Sequence, residues 1–540
     1  MPFLLRTANF RRLAAIASLS FAFAYAAASA QTAVTTHHND HYRTGWNSTE
    51  TVLTPSNVNA TQFGLITSVA VDDQVDAQPL VVPSVTITAG NYQGVHNVVY
   101  VVTGNDTVYA IDANAGTILL SNHLGTPVKA PFGCPNSGPN IGITSTPVID
   151  TGSGTLYLIA YTQGATGPVY TLHALNLGNL TDTVTPRVVS ASYPLTNGTS
   201  FGFNARYQRQ RPALLEANGN IYAGFGSFCD FYGNVTRGWL LGWKAATLAP
   251  LASNKLFQSQ GTDPTQFFLS SIWMSGSGPA ADDSGDVVLV TANSDPSGTT
   301  YDGVSSVQHS VIKMSTDLST LVDLFTPYNW PALDENDADF GSGGVMVLPD
   351  QAGSIPHLAV AAGKAGNLFL MNEDNLGGYS PTKNNVLGTY AAEKCWCGEA
   401  YFVNGTTPNV VTSGGNTIKV FNVVTSPSPA LNQVSSTTIV TGQNPGFFTS
   451  VSSNGGSTPI VWALSRPVSG SANMTLYAFN PSKKNSKGGM TLLYSTVAGQ
   501  WPNFNGDSNQ VPTIANGMVY VASYQMLNIY GLLPPPAVTK

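Results

Sequence analysis

The stretch NVVYVVTGNDTVYAIDANAGTILL, Asn97 to Leu120, decides the fold. Val98 to Val102 is a β-branched and aromatic run, and such residues suit a pleated, half-buried surface. Gly104-Asn105-Asp106 is turn chemistry, Thr107 to Ile111 runs back, and Asp112 to Gly116 turns again. The stretch reads as a β-hairpin with a second turn leading out of it.

The same pattern recurs in degraded form along the chain. Eight units each open on a short apolar strand: QPLVV at Gln78, TPVID at Thr146, RPALLE at Arg211, GPAAD at Gly278, GGVMVLP at Gly343, EAYFVN at Glu399, TSVSSNG at Thr449 and VPTIANG at Val511. A hairpin follows each one. Repetition every 50 to 68 residues or so, about four strand-like runs per unit and no amphipathic helix predict radial β-blades. The predicted fold is therefore all-β, an eight-bladed propeller of four-stranded antiparallel blades. Phe63 to Val71 is a lone strand ahead of the first unit, and the last unit lacks an outer strand. The N-terminal strand is expected to complete the last blade and close the ring. An outer-membrane barrel would need longer alternating strands, and the ending PPPAVTK does not fit one.

Composition bounds the rest. Arg6, Arg11 and Arg12, the apolar run Leu13 to Ala28 and the small residues Ala28-Ser29-Ala30 read as an export signal. The expected organisation is a signal peptide over 1–30 and a closing segment over 31–77. Eight blades follow over 78–533, then a tail over 534–540. The expected localisation is secreted or periplasmic, with the signal cleaved after Ala30. Without the signal the chain keeps 19 basic against 29 acidic residues, a net charge of −10. Nucleic acid, which demands a basic stripe, is not an expected partner. No later apolar run reaches the length of a membrane span.

Of the four cysteines, Cys134 and Cys229 form a reasonable disulfide pair in an oxidising compartment. Cys395-Trp396-Cys397 has a spacing strained for a mutual bridge, so buried thiols or a bridge elsewhere is expected there. His37, His38 and His41 read as a mobile N-terminal tail rather than a metal cluster. Asp334-Glu335-Asn336-Asp337-Ala338-Asp339 reads as a solvated acidic loop, with Asp337 and Asp339 as weak candidates for a hard cation. Asp282-Asp283-Ser284-Gly285-Asp286 reads as a hairpin turn. No G-x-S-x-G elbow is present, and GSGG at Gly341 precedes a strand rather than a helix.

Tyr109-Ala110-Ile111-Asp112-Ala113-Asn114-Ala115-Gly116-Thr117 resembles the repeat of the pyrroloquinoline-quinone (PQQ) propeller family, roughly YAxDAxTGxxxW. RTGWNSTETVLTPSNV, GITSTPVID, QRPALLEANGNIYAGFGSFCD, DADFGSGGVMVLPD and AGKAGNLFLMNEDNLGG resemble stretches of secreted bacterial PQQ-repeat-like proteins. The resemblance implies an eight-bladed ring, found both in quinone- and calcium-dependent dehydrogenases and in cofactor-free scaffolds. Several departures stand against catalysis. Leu120 replaces the repeat-ending Trp, Cys-Trp-Cys replaces the adjacent cysteines, and there is no CxxCH haem signature. The family's Glu/Asn/Asp calcium set has no clear counterpart.

In a ring of blades, the residues just before each innermost strand converge on the channel mouth. Here these include Gln78, Thr144, Ser145, Arg209, Arg211, Trp273, Ser275, Asp339, Ser342, Glu399, Phe448, Thr449, Asn509 and Gln510. Alternate residues of a strand share a face, so Arg209 and Arg211 point the same way. They suit a carboxylate-bearing ligand or a pairing with Asp339 or Glu399.

Two functions remain. The first is a secreted binding or interaction scaffold for a small molecule, glycan or protein at the mouth. The second, implied by the resemblance, is a PQQ- and calcium-dependent dehydrogenase of an alcohol or sugar. In that reading Gln78, Thr144, Arg209, Arg211, Trp273 and Gln510 hold the cofactor. Asp339 and Glu399 then act as calcium ligand or general base. A polysaccharide-directed lyase or hydrolase would need paired carboxylates, and only Asp339 and Glu399 offer a pair.

Overall fold

The computed structural model describes residues 1, 31–130, 134, 138–261, 268–294, 301–442, 446–503 and 509–534. Residues 2–30, read above as an export signal, and most of the tail lie outside the described residues. The chain divides into two units, Met1–Gln31 and Thr32–Lys540, and everything below concerns the second.

The opening stretch folds as read. Gly94–Val102 pairs antiparallel with Thr107–Asp112, from Val98 opposite Asp112 to Val102 opposite Val108. Val98 to Val102 are all buried, each contributing roughly 1.5–3 kcal/mol of apolar transfer. Asp106 makes the first turn at φ +56°. Asp112 makes the second, its carboxylate accepting the N–H groups of Asn114 and Ala115 at 3.0 and 2.8 Å. Gly116 follows at φ +71°, and a Cβ there would sit 2.7 Å from the Thr67 methyl. Only glycine serves that backbone and that contact together.

Thr67 belongs to Phe63–Gln74, the strand that closes the ring. It pairs antiparallel with the second half of Met518–Leu532, whose first half pairs with Thr513–Ala515. Blade 8 is thus built from both ends of the chain, as expected. The other seven innermost strands are Leu80–Ile87, Val148–Asp150, Leu215–Ala217, Ala280–Ala281, Val345–Val347, Ala400–Asn404 and Thr449–Asn454. They fall within or directly after the eight apolar openings read from the sequence.

Buried apolar side chains form clusters that straddle neighbouring blades. Leu80 and Tyr100 of blade 1 pack with Leu156 and Leu158 of blade 2. Trp462 of blade 7 packs with Phe63 and Tyr530 of blade 8. Val69 and Leu527 of blade 8 pack with Val99 and Ile111 of blade 1, which completes the circle. No blade buries both faces without two neighbours.

The segment ahead of the closing strand overturns one expectation. His37 and His38 are 2% and 1% exposed, and Arg43 is 1% exposed, so this is no mobile tail. Residues 34–47 form a belt along the channel that bonds at the innermost strand of every blade. Val34 exchanges two bonds with Val81 of blade 1. Ile149 donates to the Thr35 carbonyl, Ala281 to His41, Val347 to Tyr42, Tyr401 to Thr44 and Val451 to Gly45. The Asn47 side chain donates to the Ile514 carbonyl of blade 8. The Arg43 guanidinium donates to the carbonyls of Leu214 and Pro279, joining blades 3 and 4, and to His37 and Thr36 within the belt. Trp46–Asn47 adds a parallel strand beside Thr449–Asn454. The belt curls because His38, Asn39, Arg43 and Gly45 all take positive φ, and the surrounding bonds over-determine that costly backbone.

Arg43→Ala leaves three carbonyls and a hydroxyl without their charged donor and should cost about 3 kcal/mol or more. Chemical denaturation measures this, and Arg43→Lys should not restore it, since a point charge cannot serve a planar fork of acceptors. Deleting residues 31–76 removes belt and closing strand together and should abolish cooperative unfolding; an unchanged melting temperature would refute both roles.

Candidate functional site

The channel mouth carries a cavity of about 260 Å³ lined by Arg209, Arg211, Ser227, Cys229, Asp230, Trp273, Ser275, Asp337, Asp339, Lys364, Trp396 and Asn509. The larger concavity, about 470 Å³, lies between blades 1 and 2 and is lined by Thr, Val and Gly with no titratable side chain. The mouth cavity gathers both charge and aromatic surface, so it is the candidate site.

Its electrostatics centre on Lys364. The ammonium lies 2.5 Å from Asp339 and 3.4 Å from Asp337. It also sits 5.6 and 5.4 Å from the ring centres of Trp273 and Trp396, within cation–π reach. Burial alone would lower its pKa, but Asp339 and Asp337 hold it above the ordinary lysine value. Blade 4 fixes the two carboxylates: the Asn293 backbone N–H donates to Asp339 at 2.9 Å and its side-chain amide to Asp337 at 3.0 Å. The stretch 334–339 is therefore only in part the solvated loop expected: Glu335, Asn336 and Asp337 are exposed, while Asp334 and Asp339 are buried. Asp334 closes the helix Trp330–Glu335, is fully buried, and accepts His309 at 2.8 Å and the Ser294 N–H at 2.8 Å. Burial, and then Asp339, raise the pKa of Asp230 to about 6.

On the opposite wall Arg209 and Arg211 face the same cavity, as their alternation requires. Arg211 donates to the Thr144 carbonyl at 3.0 Å, and the Arg209 guanidinium lies over the Phe228 ring at 5.9 Å.

The cysteine expectation is half met. Cys134–Cys229 is a disulfide, as guessed. Cys395 and Cys397 also bridge each other, against the expectation of free thiols, with their Cα atoms 5.1 Å apart. The one-residue loop so formed presents Trp396 to the cavity, edge-on to Trp273 with ring centres 6.0 Å apart. Cys395, Cys397 and Glu399 lie close enough to hold a metal, but bridged sulfurs offer no thiolate.

The other sequence candidates sit at the axis, beside the cavity rather than in its wall. Gln78 accepts the His38 N–H and donates to Thr513, tying belt, blade 1 and blade 8 together. The Thr144 hydroxyl donates to the Gln210 carbonyl. Glu399 and Gln510 are buried, and one polar atom of each has no hydrogen-bond partner among the described residues. Burial pushes the Glu399 pKa up to about 8. It likewise lowers His38 to about 4 and His37 well below its ordinary value, so both imidazoles are neutral.

Sequence reasoning missed Lys364, Trp396 and Asp230. Lys364 stands in AGKAG, a lone charge among small residues where only 9% of the chain is charged, which was a readable signal. Asp230 follows a disulfide cysteine and carried none.

No protein-family model matches the sequence, and no curated protein matches it. Among solved structures, the chain is similar to a quinohemoprotein alcohol dehydrogenase from Pseudomonas putida HK5. That match has a TM-score of 0.55 and 14% identity, and covers 94% of this chain and 82% of that one. BamB from Moraxella catarrhalis matches with a TM-score of 0.44 and 11% identity, over 87% of this chain and 97% of that one. At these identities the likeness to the first is one of fold.

The buried Glu399 also sets a pH dependence. Its folded pKa of about 8 exceeds the unfolded value of about 4.5, so the native state binds the extra proton between those values. Stability from this group should be fullest below pH 4.5 and fall by about 5 kcal/mol as pH rises from there through 8. Glu399→Gln, neutral at every pH, should remove that slope in melts across pH 5 to 8.5.

Proposed function

We propose that this is an exported binding propeller whose channel mouth takes a compact, carboxylate-bearing small molecule. The observation that carries this reading is the convergence of Arg209 and Arg211 opposite Trp273 and Trp396 in one cavity. Arginine forks match carboxylates bidentately, and the indole faces accept a ring. Lys364 offsets Asp339 and Asp337, while the buried Asp76 interacts with both arginines and Asp230 opposes them once it ionises. Two disulfides, low charge and the leader-like first thirty residues support export.

A PQQ-dependent dehydrogenase is the second reading. It is favoured by the Cys395–Cys397 ring that frames Trp396, a counterpart to the disulfide ring of the family the repeats resemble. The fit is partial. Arg209 and Arg211 suit the carboxylates of PQQ, and Trp273 or Trp396 could stack on its plane. A calcium ion fits poorly, because the Lys364 ammonium already occupies Asp339 and Asp337, and Glu399 lies outside the cavity wall. Binding without calcium-assisted oxidation is the reading that the residues support better.

Titrating the purified protein with PQQ, a flat tricarboxylate, should quench tryptophan fluorescence. Arg209→Ala and Arg211→Ala should each weaken that affinity at least about tenfold. With calcium and an electron-accepting dye over an alcohol and sugar panel, turnover would establish the dehydrogenase instead. Asp230 adds a sign to test: it ionises around pH 6 and then repels an anion. Carboxylate affinity should fall several-fold between pH 5 and 7, and Asp230→Asn should flatten the profile.

A further inference from the structure

The mouth cavity carries both signs of charge. Arg209, Arg211 and Lys364 line it together with Asp230, Asp337 and Asp339, three cations against three carboxylates. The buried Asp76 adds a fourth acid that acts on both guanidinium groups. A plain carboxylate entering here brings a negative charge that these acids oppose, whereas a ligand carrying both signs meets a partner for each.

The acids are not equivalent. The Lys364 ammonium lies 2.5 Å from Asp339 and 3.4 Å from Asp337. Asp230 accepts the Ser227 hydroxyl, and among the described residues no Lys, Arg or His lies within ion-pair distance of it. Blade 3 brings this carboxylate to the arginine side of the cavity. Gln208–Arg209 pairs antiparallel with Asn220–Ser227, Arg209 opposite Gly226. The Arg209 guanidinium then lies over the Phe228 ring at 5.9 Å, two residues before Asp230. Cys229 and Asp230 take φ of +50° and +55°, and Ser275 and Asp337, which also line the cavity, both take +49°. Backbone this costly persists only where its surroundings over-determine it, and it clusters at sites held ready for a ligand. The bridge from Cys229 to Cys134 ties down the segment that carries Asp230. The cavity measures about 260 Å³, below the ~300–1,000 Å³ of sites for drug-sized ligands, so one small molecule and not a peptide is the scale.

We infer that the ligand is a single α-amino acid with an apolar or aromatic side chain, its carboxylate on Arg209 and Arg211, its ammonium on Asp230 and its side chain against the indoles of Trp273 and Trp396. This rests on the carboxylate-binding reading above and names its ligand class. Lys364 keeps Asp339 and Asp337, so Asp230 is the acid left for an incoming ammonium. Burial, then Asp339 and Asp337, oppose the ionisation of Asp230, while Ser227 and Lys364 favour it, and the balance puts its pKa at about 6. Once ionised it repels a plain anion but pairs with a zwitterion, so the two kinds of ligand answer to pH with opposite signs.

Calorimetry with three probes tests this: phenylalanine, 3-phenylpropanoate, which lacks the ammonium, and 2-phenylethylamine, which lacks the carboxylate. At pH 7 phenylalanine should bind at least about tenfold more tightly than either. Phenylalanine stays a zwitterion between pH 5 and 7, and its affinity should rise several-fold over that range while that of 3-phenylpropanoate falls. Asp230→Asn should cost phenylalanine about tenfold at pH 7, remove its rise with pH, and leave 3-phenylpropanoate no weaker. If 3-phenylpropanoate binds as tightly as phenylalanine at pH 7, the amino-acid assignment is overturned and the carboxylate site stands. If 2-phenylethylamine binds as tightly, the role given to the arginines is overturned. A phenylalanine affinity that falls from pH 5 to 7 overturns the role of Asp230. No binding of any probe overturns the inference, while the PQQ titration judges the carboxylate site separately. If Asp230→Asn does not fold, the pH series of the three probes on the unaltered protein decides alone.

Discussion

The constraint on which this structure depends is an edge. Each blade ends at the axis in a strand of two to eight residues whose inner side meets no further strand of its own blade. Unpaired N–H and C=O groups at such an edge must find partners or water. Here one chain segment supplies bonds to all eight innermost strands in turn, from Val34 on blade 1 to Asn47 on blade 8. Ring closure by Phe63–Gln74 fixes the last blade to the first, and the belt fixes every blade to a common axis. The two devices are adjacent in sequence, so one N-terminal stretch both seals the circumference and fills the centre.

That arrangement sets where ligand chemistry can occur. His37 and His38 of the belt stack with centroids 4.7 Å apart and meet the Phe448 ring edge-on, which joins belt and blade 7. At the mouth a chain with only 9% charged residues places three cations and three carboxylates around one cavity. Charge this sparse and this concentrated is costly to bury, and the Lys364–Asp339 pair shows how the cost is met, by short pairing plus a backbone donor, while Asp337 stays largely exposed.

The repeats were legible because their signal is local. A β-branched run, a turn of Gly, Asn or Asp and a return strand are all written within some twenty residues, as in Asn97 to Leu120. The closing strand was legible because counting strands per unit exposed one surplus at the start and one deficit at the end. The belt was not, because HHNDHYRTGWN has no periodicity. Its structure comes from bonds to residues 47 to 467 positions away, as with Val81, Leu214 and Ile514. The mouth residues were legible as a set through their place before each innermost strand. Which of them face the cavity was not, since Gln78 turns to Thr513 and Arg211 turns to the cavity from equivalent places. Cys395 and Cys397 were misread because spacing was judged against an extended strand. The backbone there is irregular and brings their Cα atoms to 5.1 Å.

Leu120 and the Cys395–Cys397 bridge pull the reading of the ring in opposite directions, and the site shows which weighs more. Leu120 is half-buried at the rim of the cluster between blades 1 and 2, away from the mouth. The bridge, by contrast, lies next to the cavity and sets the position of Trp396 within it. With Trp273 edge-on at 6.0 Å, it gives the cavity two indole surfaces. What the mouth lacks is a free pair of carboxylates, because Lys364 lies between Asp337 and Asp339 and Glu399 faces the axis instead of the wall. Stacking faces and cationic donors are both present in the cavity, whereas the carboxylates of Asp337 and Asp339 are already paired with Lys364.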